Sequence, residues 1–198
     1  MFYSFARQLL SFFIKILYRP EVKGRENFPR QGPVIVVGNH ANLMDPILMG
    51  ISLGQRQICF MAKEQLFQIP VLGWIIRKLG VFPVKRGVGD REAIRSALRI
   101  LGEGRVLGMF PEGTRYRDGK IHPLRSGAAT LAVKSGALVL PMVIQNSHKI
   151  KFLRFPKIRI LVGEPLRIKL LDDKRETITE GTRLIQEKML ALYEQLNH

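Results

Sequence analysis

Apolar positions along this chain follow two rhythms. Unbroken runs at Pro33-Val34-Ile35-Val36-Val37, Gln57-Ile58-Cys59-Phe60-Met61 and Val106-Leu107-Gly108-Met109-Phe110 read as buried strands. Ala137 to Gln145 reads as another, interrupted by Pro141, and Gly80 to Gly87 as a strand emptying into a basic turn. Glu21-Val22-Lys23-Gly24 is a short strand or extended lead-in, and Phe28 to Pro33 a loop. Helical spacing marks the rest. Ala93, Ile94, Ala97, Leu98 and Leu101 line a helix that Asp90 caps and Gly102 stops. Residues 46–53, 63–67, 126–135 and 173–196 read as further helices. Val71 to Leu79 is unusually apolar away from Arg77 and Lys78, which suits core packing first and a membrane-contacting or chain-lining surface second. Residues 149–160 alternate basic and apolar side chains, as in an edge strand or an interfacial loop, and a strand pair is expected around Gly163-Glu164-Pro165. Strands and helices alternate without a repeat. The fold class expected is α/β, a single-domain sandwich of a mixed, largely parallel sheet flanked by helices.

Residues 1–18 carry a different pattern. Ser4, Arg7, Gln8, Ser11 and Lys15 form one narrow polar stripe on a helix whose other positions include Phe2, Phe5, Phe12 and Phe13. At about 1.5 Å per residue the helix is about 27 Å long, marginal for a bilayer span, and its two cations oppose spanning. A helix lying in the membrane interface is the first expectation, and docking on the domain's own core the second. The division expected is therefore 1–19 as an amphipathic membrane-interface helix and 20–198 as the main domain.

Composition adds one constraint. The 198 residues carry a formal charge of +16, which calls for an anionic partner: nucleic acid, a phospholipid surface or a phosphorylated substrate. Few aromatics lie among the basic residues and no nucleic-acid motif is present, so a nucleic-acid binder is the weaker reading. The single cysteine, Cys59, excludes an internal disulfide and cysteine-based metal sites. A small-residue cleavage site after the N-terminal apolar run is missing, so no secretory signal is expected.

Three strand ends present reactive residues. His40 follows the first buried strand, and Asp45 comes five residues later, before Pro46. A tight turn would set the carboxylate on one imidazole nitrogen and leave the other as a base. Asp45 before Pro46 also matches an ordinary helix N-cap. Lys85 and Arg86 close the second such end, and Glu112, Gly113, Thr114 and Arg115 the third. In α/β sheets these ends share one rim, where arginine forks and a lysine would bind a phosphate. Glu112 would pair with an arginine or accept a hydroxyl, and Gly113 would let backbone approach a ligand. Competing signatures are absent: there is no Gly-x-Ser-x-Gly elbow, no Walker loop, and no metal-ligand spacing among the histidines, so no metal is assigned.

Together these blocks resemble the glycerolipid acyltransferase superfamily, in particular 1-acyl-glycerol-3-phosphate acyltransferases, from about residue 20 to 170. His40 to Asp45 looks like the family's His-x-x-x-x-Asp signature, and Gly80, Phe82 and Arg86 match its second block. Phe110 to Arg115 match its Phe-Pro-Glu-Gly-Thr-Arg block in full, and Val139-Leu140-Pro141-Met142-Val143 its fourth. Many relatives have Phe-Lys-x-Gly where this chain has Leu124-Arg125-Ser126-Gly127. The resemblance implies transfer of a fatty acyl group from acyl-CoA or acyl carrier protein to a glycerol hydroxyl, with lysophosphatidate as acceptor and no cofactor. Glycerol-3-phosphate or another lysolipid is the alternative acceptor. His40 and Asp45 would be catalytic, with Lys85, Arg86, Glu112, Gly113, Thr114 and Arg115 binding substrate. The implied location is the cytoplasmic face of a membrane, peripheral or monotopic, against a phospholipid surface.

Overall fold

A computed structural model describes residues 2–54, 56–84, 91–151 and 153–197, with side chains from residue 8 onward. The chain opens with α1 (Phe2–Tyr18), β1 (Glu21–Lys23), β2 (Val34–Gly38), α2 (Asp45–Leu53) and β3 (Ile58–Lys63). It continues through α3 (Leu72–Lys78), β4 (Phe82–Val84), α4 (Arg91–Gly102), β5 (Val106–Met109) and α5 (Gly127–Ser135). β6 (Leu138–Gln145), β7 (Arg159–Val162) and α6 (Lys174–Asn197) complete it. The strands form one seven-stranded sheet, ordered β1-β7-β6-β2-β5-β3-β4. β6, β2, β5, β3 and β4 run parallel, while β7 and β1 run the opposite way. This is the mixed, largely parallel sheet that the alternating pattern predicts. The C-terminal ends of the parallel strands lie along one rim, and β7 and β1 begin there.

β2 shows why a continuous apolar run was needed. Val34 and Val36 face a core shared with Ile14 and Tyr18 of α1 and Leu48 and Leu53 of α2. Ile35 and Val37 face the opposite core, built from Ala97 and Leu101 of α4, Ala128 and Ala132 of α5, and Ile185 and Met189 of α6. With both faces covered, every side chain of the strand is buried.

Several expected elements differ in detail. Residues 64–68 form a 3-10 segment (Glu64–Gln68) rather than an α-helix. The 149–160 stretch is no edge strand: a 3-10 turn, Ser147–Lys149, and a loop precede β7. After Gly163 there is no strand pair, only an isolated bridge from Leu166 to Val139. Pro141 does not interrupt β6. From Val139 to Met142 β6 advances three residues, while the partner segment from Leu166 back to Val162 takes four. The extra residue makes a bulge, and Pro141 sits opposite it, accepting from Gly163 N at 2.8 Å, where the ring nitrogen has no ladder bond to supply. The Asp90 cap lies outside the described residues.

α1 divides its surface. Ile14 and Tyr18 are buried and Leu10 half-buried, on one seam against the domain, whereas Leu9, Phe12, Phe13, Ile16 and Leu17 are exposed. Docking on the domain's own core thus describes one seam of the helix, and the opposite face is exposed. Among the described residues no helix is long and apolar enough to cross a membrane. Ile14→Val is expected to cost about 1 kcal/mol, whereas Phe13→Ser should stay within about 0.5 kcal/mol. Urea unfolding of the two variants checks the difference.

Candidate active site

The site begins where β2 leaves the sheet. Gly38 still pairs with Met142, but at Asn39 a side chain takes over the ladder. Asn39 Nδ2 donates to Ile144 O at 3.0 Å, and Ile144 N donates to Asn39 Oδ1 at 2.8 Å. The amide imitates the next peptide unit, so the backbone can turn away and present His40 at the rim. Asn39 is buried, and sequence reasoning assigned its side chain no role; its signal was its place in the first motif, between a strand-closing glycine and the histidine.

The loop from His40 to Asp45 is tied to a single oxygen. Asp45 Oδ2 accepts from Ala41 N and Asn42 N, both at 2.7 Å, and lies 3.0 Å from His40 Nδ1. With an ionised carboxylate as partner, Nδ1 carries the proton and Nε2 is left as the acceptor. Asp45 is not an N-cap. It begins α2, but the cap position is Met44, without a side-chain bond, and the carboxylate turns back onto the preceding loop. Asn42 braces that loop from within, accepting from Met44 N at 3.0 Å and donating to Ile150 O at 3.4 Å. One face of the His40 ring stacks on Phe110, with centroids 4.2 Å apart. Phe110 is in turn nearly parallel to Phe60 at 6.2 Å. Phe60 lies over Gly108, where a Cβ would come within 2.3 Å of the ring. The missing side chain at Gly108 therefore lets the aromatic stack settle under the imidazole.

Glu112 is 2% exposed, and among the described residues it pairs with no arginine, unlike one of the two sequence expectations. Its Oε2 accepts from His40 N at 3.0 Å and its Oε1 from His122 N at 3.2 Å. It is a bracket that clamps the first motif to the third. Burial pushes its carboxyl above the usual range, against the pull of the two N–H groups. Gly113 turns the chain with φ 76° and donates to Phe110 O at 3.0 Å. The side chain of Arg125 covers it, 2.6 Å from where a Cβ would stand. Arg125 thus keeps a cation against the third motif.

Gly113, Thr114 and Arg115 are exposed. Arg115 lines a cleft of about 210 Å³ together with Arg117, His148 and Lys151, closed on one side by Ala41, Asn42 and Leu43. Arg117 and His148 were not singled out from the sequence, because their approach to the His40 loop depends on two connections folding over the same rim. Lys85 and Arg86 lie outside the described residues; the strand before them, β4, ends at Val84 on this rim.

The geometry is that of a histidine held by a carboxylate beside a cationic cleft, and the chain carrying it is similar in sequence and fold to known proteins. The profile of the Acyltransferase family matches residues 19–145. The chain is 31% identical over 165 residues to a 1-acyl-sn-glycerol-3-phosphate acyltransferase of Bacillus subtilis, covering 83% of this chain and 82% of that one. A chloroplastic 1-acyl-sn-glycerol-3-phosphate acyltransferase of Brassica napus is 32% identical over 181 residues, 85% of this chain and 52% of the relative, so the chain spans about half the plant protein. The crystal structure of the 1-acyl-sn-glycerophosphate (LPA) acyltransferase PlsC from Thermotoga maritima superposes with a TM-score of 0.72 at 30% identity, covering 95% of this chain and 81% of that one. The matched stretch contains both the His40–Asp45 loop and the Glu112 bracket, and on that ground the chain belongs to the acyltransferase family.

Proposed function

We propose that the protein transfers a fatty acyl group from a thioester donor, acyl-CoA or acyl carrier protein, to the free hydroxyl of 1-acyl-glycerol-3-phosphate, giving phosphatidate. The observation that carries this reading is the His40–Asp45 pair, which leaves Nε2 as a base next to a cleft lined by Arg115, Arg117 and Lys151. A glycerol hydroxyl is a weak nucleophile near neutral pH, so its proton must leave as it attacks. His40 Nε2 takes that proton while the oxygen adds to the thioester carbonyl. The carbon–sulfur bond then breaks, and the departing thiolate recovers the proton from the imidazolium. Asp45 stabilises the charged ring between the two steps. A thioester is already activated, and no covalent enzyme intermediate is required.

Arg115, with Arg86 after β4, holds the acceptor's phosphate and so positions its hydroxyl. Lys85 and Thr114 add donors at the same ends. The names of the relatives support this choice of acceptor. Arg115→Lys keeps the charge but loses the fork, so KM for lysophosphatidate should rise several-fold more than KM for acyl-CoA. Equal changes in both would count against the assignment. Thiol release from acyl-CoA across a panel of acceptors tests the reaction itself: lysophosphatidate should give the highest rate, and a preference for glycerol-3-phosphate would move the protein to another acceptor class.

The acceptor and product are membrane lipids, and the exposed face of α1 suits a site held at headgroup level. Leu9, Phe12, Phe13, Ile16 and Leu17 enter the interface while Ile14 and Tyr18 keep the helix on the domain. The 1–19 segment is accordingly a membrane-interface helix that shares the core of 20–198. Lys151 and Arg154, near the same rim, add attraction to anionic lipids.

A further inference from the structure

A second exposed apolar surface stands across the site from α1. β3 ends at Lys63 on the reactive rim, and the Glu64–Gln68 segment follows directly, packed on β3 and β4. Between it and α3 the chain exposes Ile69 and Val71, with Val71 at 71%, and the first turn of α3 exposes Leu72 and Trp74. Core packing, the first expectation for Val71 to Leu79, therefore describes Gly73 and, in part, Ile75, Ile76 and Leu79, but not Val71, Leu72 or Trp74. Val71 is held at φ 64° and ψ −55°, and Leu72 N donates to Pro70 O at 2.7 Å. That is a γ-turn of the strained hand, and a β-branched residue is rare in it. The chain thus spends backbone strain to hold an apolar side chain out in solvent, which no contact within the protein explains. The tip is also stiff. Gly73 presses α3 onto the preceding segment, a Cβ there falling 2.3 Å from Phe67 O, and the Arg77 guanidinium lies over the Phe67 ring at 5.2 Å.

We infer that this turn is a second membrane foothold, which seats Val71 and its neighbours among the acyl chains of an anionic leaflet. The inference rests on the reading that the enzyme works at a lipid surface. Charge complementarity names the occupant: Lys63 at the end of β3 and Arg77 and Lys78 at the end of α3 are exposed on the elements that flank the apolar tip, and suit anionic headgroups while it enters the hydrocarbon. Position supports it too. In the order β1-β7-β6-β2-β5-β3-β4 the strand that presents His40 is central, with three strands on either side. At about 4.8 Å per strand, the end of α1, where Tyr18 O accepts from Ile158 N just before β7, and the turn beyond β3 each lie two strands, about 10 Å, to either side of His40. A single amphipathic helix leaves the domain free to roll about the helix axis. A contact at the opposite edge fixes the tilt and turns the site toward the leaflet.

The chain's one tryptophan, Trp74, is 55% exposed on α3, three residues after Val71, and reports on the turn without engineering. The full-length protein is mixed with vesicles of phosphatidylglycerol and phosphatidylcholine, with and without bromine on the acyl chains. The protein should pellet with both, and the emission of Trp74 should shift to the blue and be quenched by the brominated lipid. Val71→Asp should weaken vesicle binding by about tenfold or more while leaving turnover of detergent-dispersed substrate unchanged. If the protein pellets but Trp74 is neither shifted nor quenched, α1 alone makes the contact and the second foothold is wrong, though the lipid-surface reading stands. Undiminished vesicle binding by a folded Val71→Asp variant would overturn the foothold in the same way. If the wild-type protein does not pellet, the lipid-surface reading itself fails and the foothold with it.

Discussion

His40→Ala should lower turnover by at least about 100-fold with the fold intact. The ring touches Asp45 and Phe110, and although mostly covered its side chain is 18% exposed, so its removal opens a space that reaches solvent rather than a sealed cavity. The backbone bonds of the loop, from His40 N to Glu112 and from Ala41 and Asn42 to Asp45, do not involve the ring and should persist. Activity and stability therefore separate in this variant. A folded His40→Ala protein close to the wild-type rate would remove the imidazole from the mechanism. Asp45→Asn divides the roles further. An amide oxygen in the place of Oδ2 still accepts from the two backbone N–H groups, but it cannot offset the charge of an imidazolium. kcat should fall steeply while the melting temperature moves modestly. A change in melting temperature alone would return Asp45 to a structural role.

Glu112→Gln should give the other large effect, of the opposite kind. The carboxylate accepts one N–H on each oxygen, whereas an amide offers one oxygen and one NH2 group. One of the two backbone N–H groups, on His40 or His122, is left facing a donor in a buried place. An unsatisfied buried donor costs about 1–3 kcal/mol, a drop in Tm on the order of 5 °C for a chain of this size. Since the clamp also sets the backbone of His40, kcat should fall by about tenfold, on the scale set by misplacing a catalytic group. A pH series adds a second signature. Burial raises the Glu112 pKa above its unfolded value, so its contribution to stability is greatest below the unfolded value and declines as pH rises through the raised one. The glutamine variant has nothing to titrate and should lack that decline in urea unfolding. An unchanged profile would show that another group is responsible.

How far the chain could be read varied with the range of the interactions involved. His40 and Asp45 were legible because the turn that joins them is local: five residues separate them, and one carboxylate oxygen closes the loop on three nearby nitrogens. The third motif was legible as a block, yet Glu112 was expected to pair with an arginine or accept a hydroxyl, and its bonds among the described residues are to neither. Its true partners, His40 N and His122 N, lie on separate loops and are backbone groups, to which side-chain type gives no clue. Asn39 escaped for the same reason, its partner being Ile144 in a strand more than a hundred residues away.

By itself the sequence determined the layered α/β architecture, because an unbroken apolar run such as Val34–Val37 can be buried only between two helical layers. It also determined the reactive pair, because short loops fix geometry locally. Tertiary structure alone decided where exposed apolar surface remains. Ile14 and Phe13 are equally apolar neighbours on α1, but the first meets Leu48 and Leu53 of the domain and the second meets solvent. Val71 and Leu72 suit a core as well as a surface, and only the close approach of α3 to Phe67 turns them outward. Hydrophobicity sets how strongly a side chain avoids water; which apolar phase it finds depends on surfaces that meet only after folding.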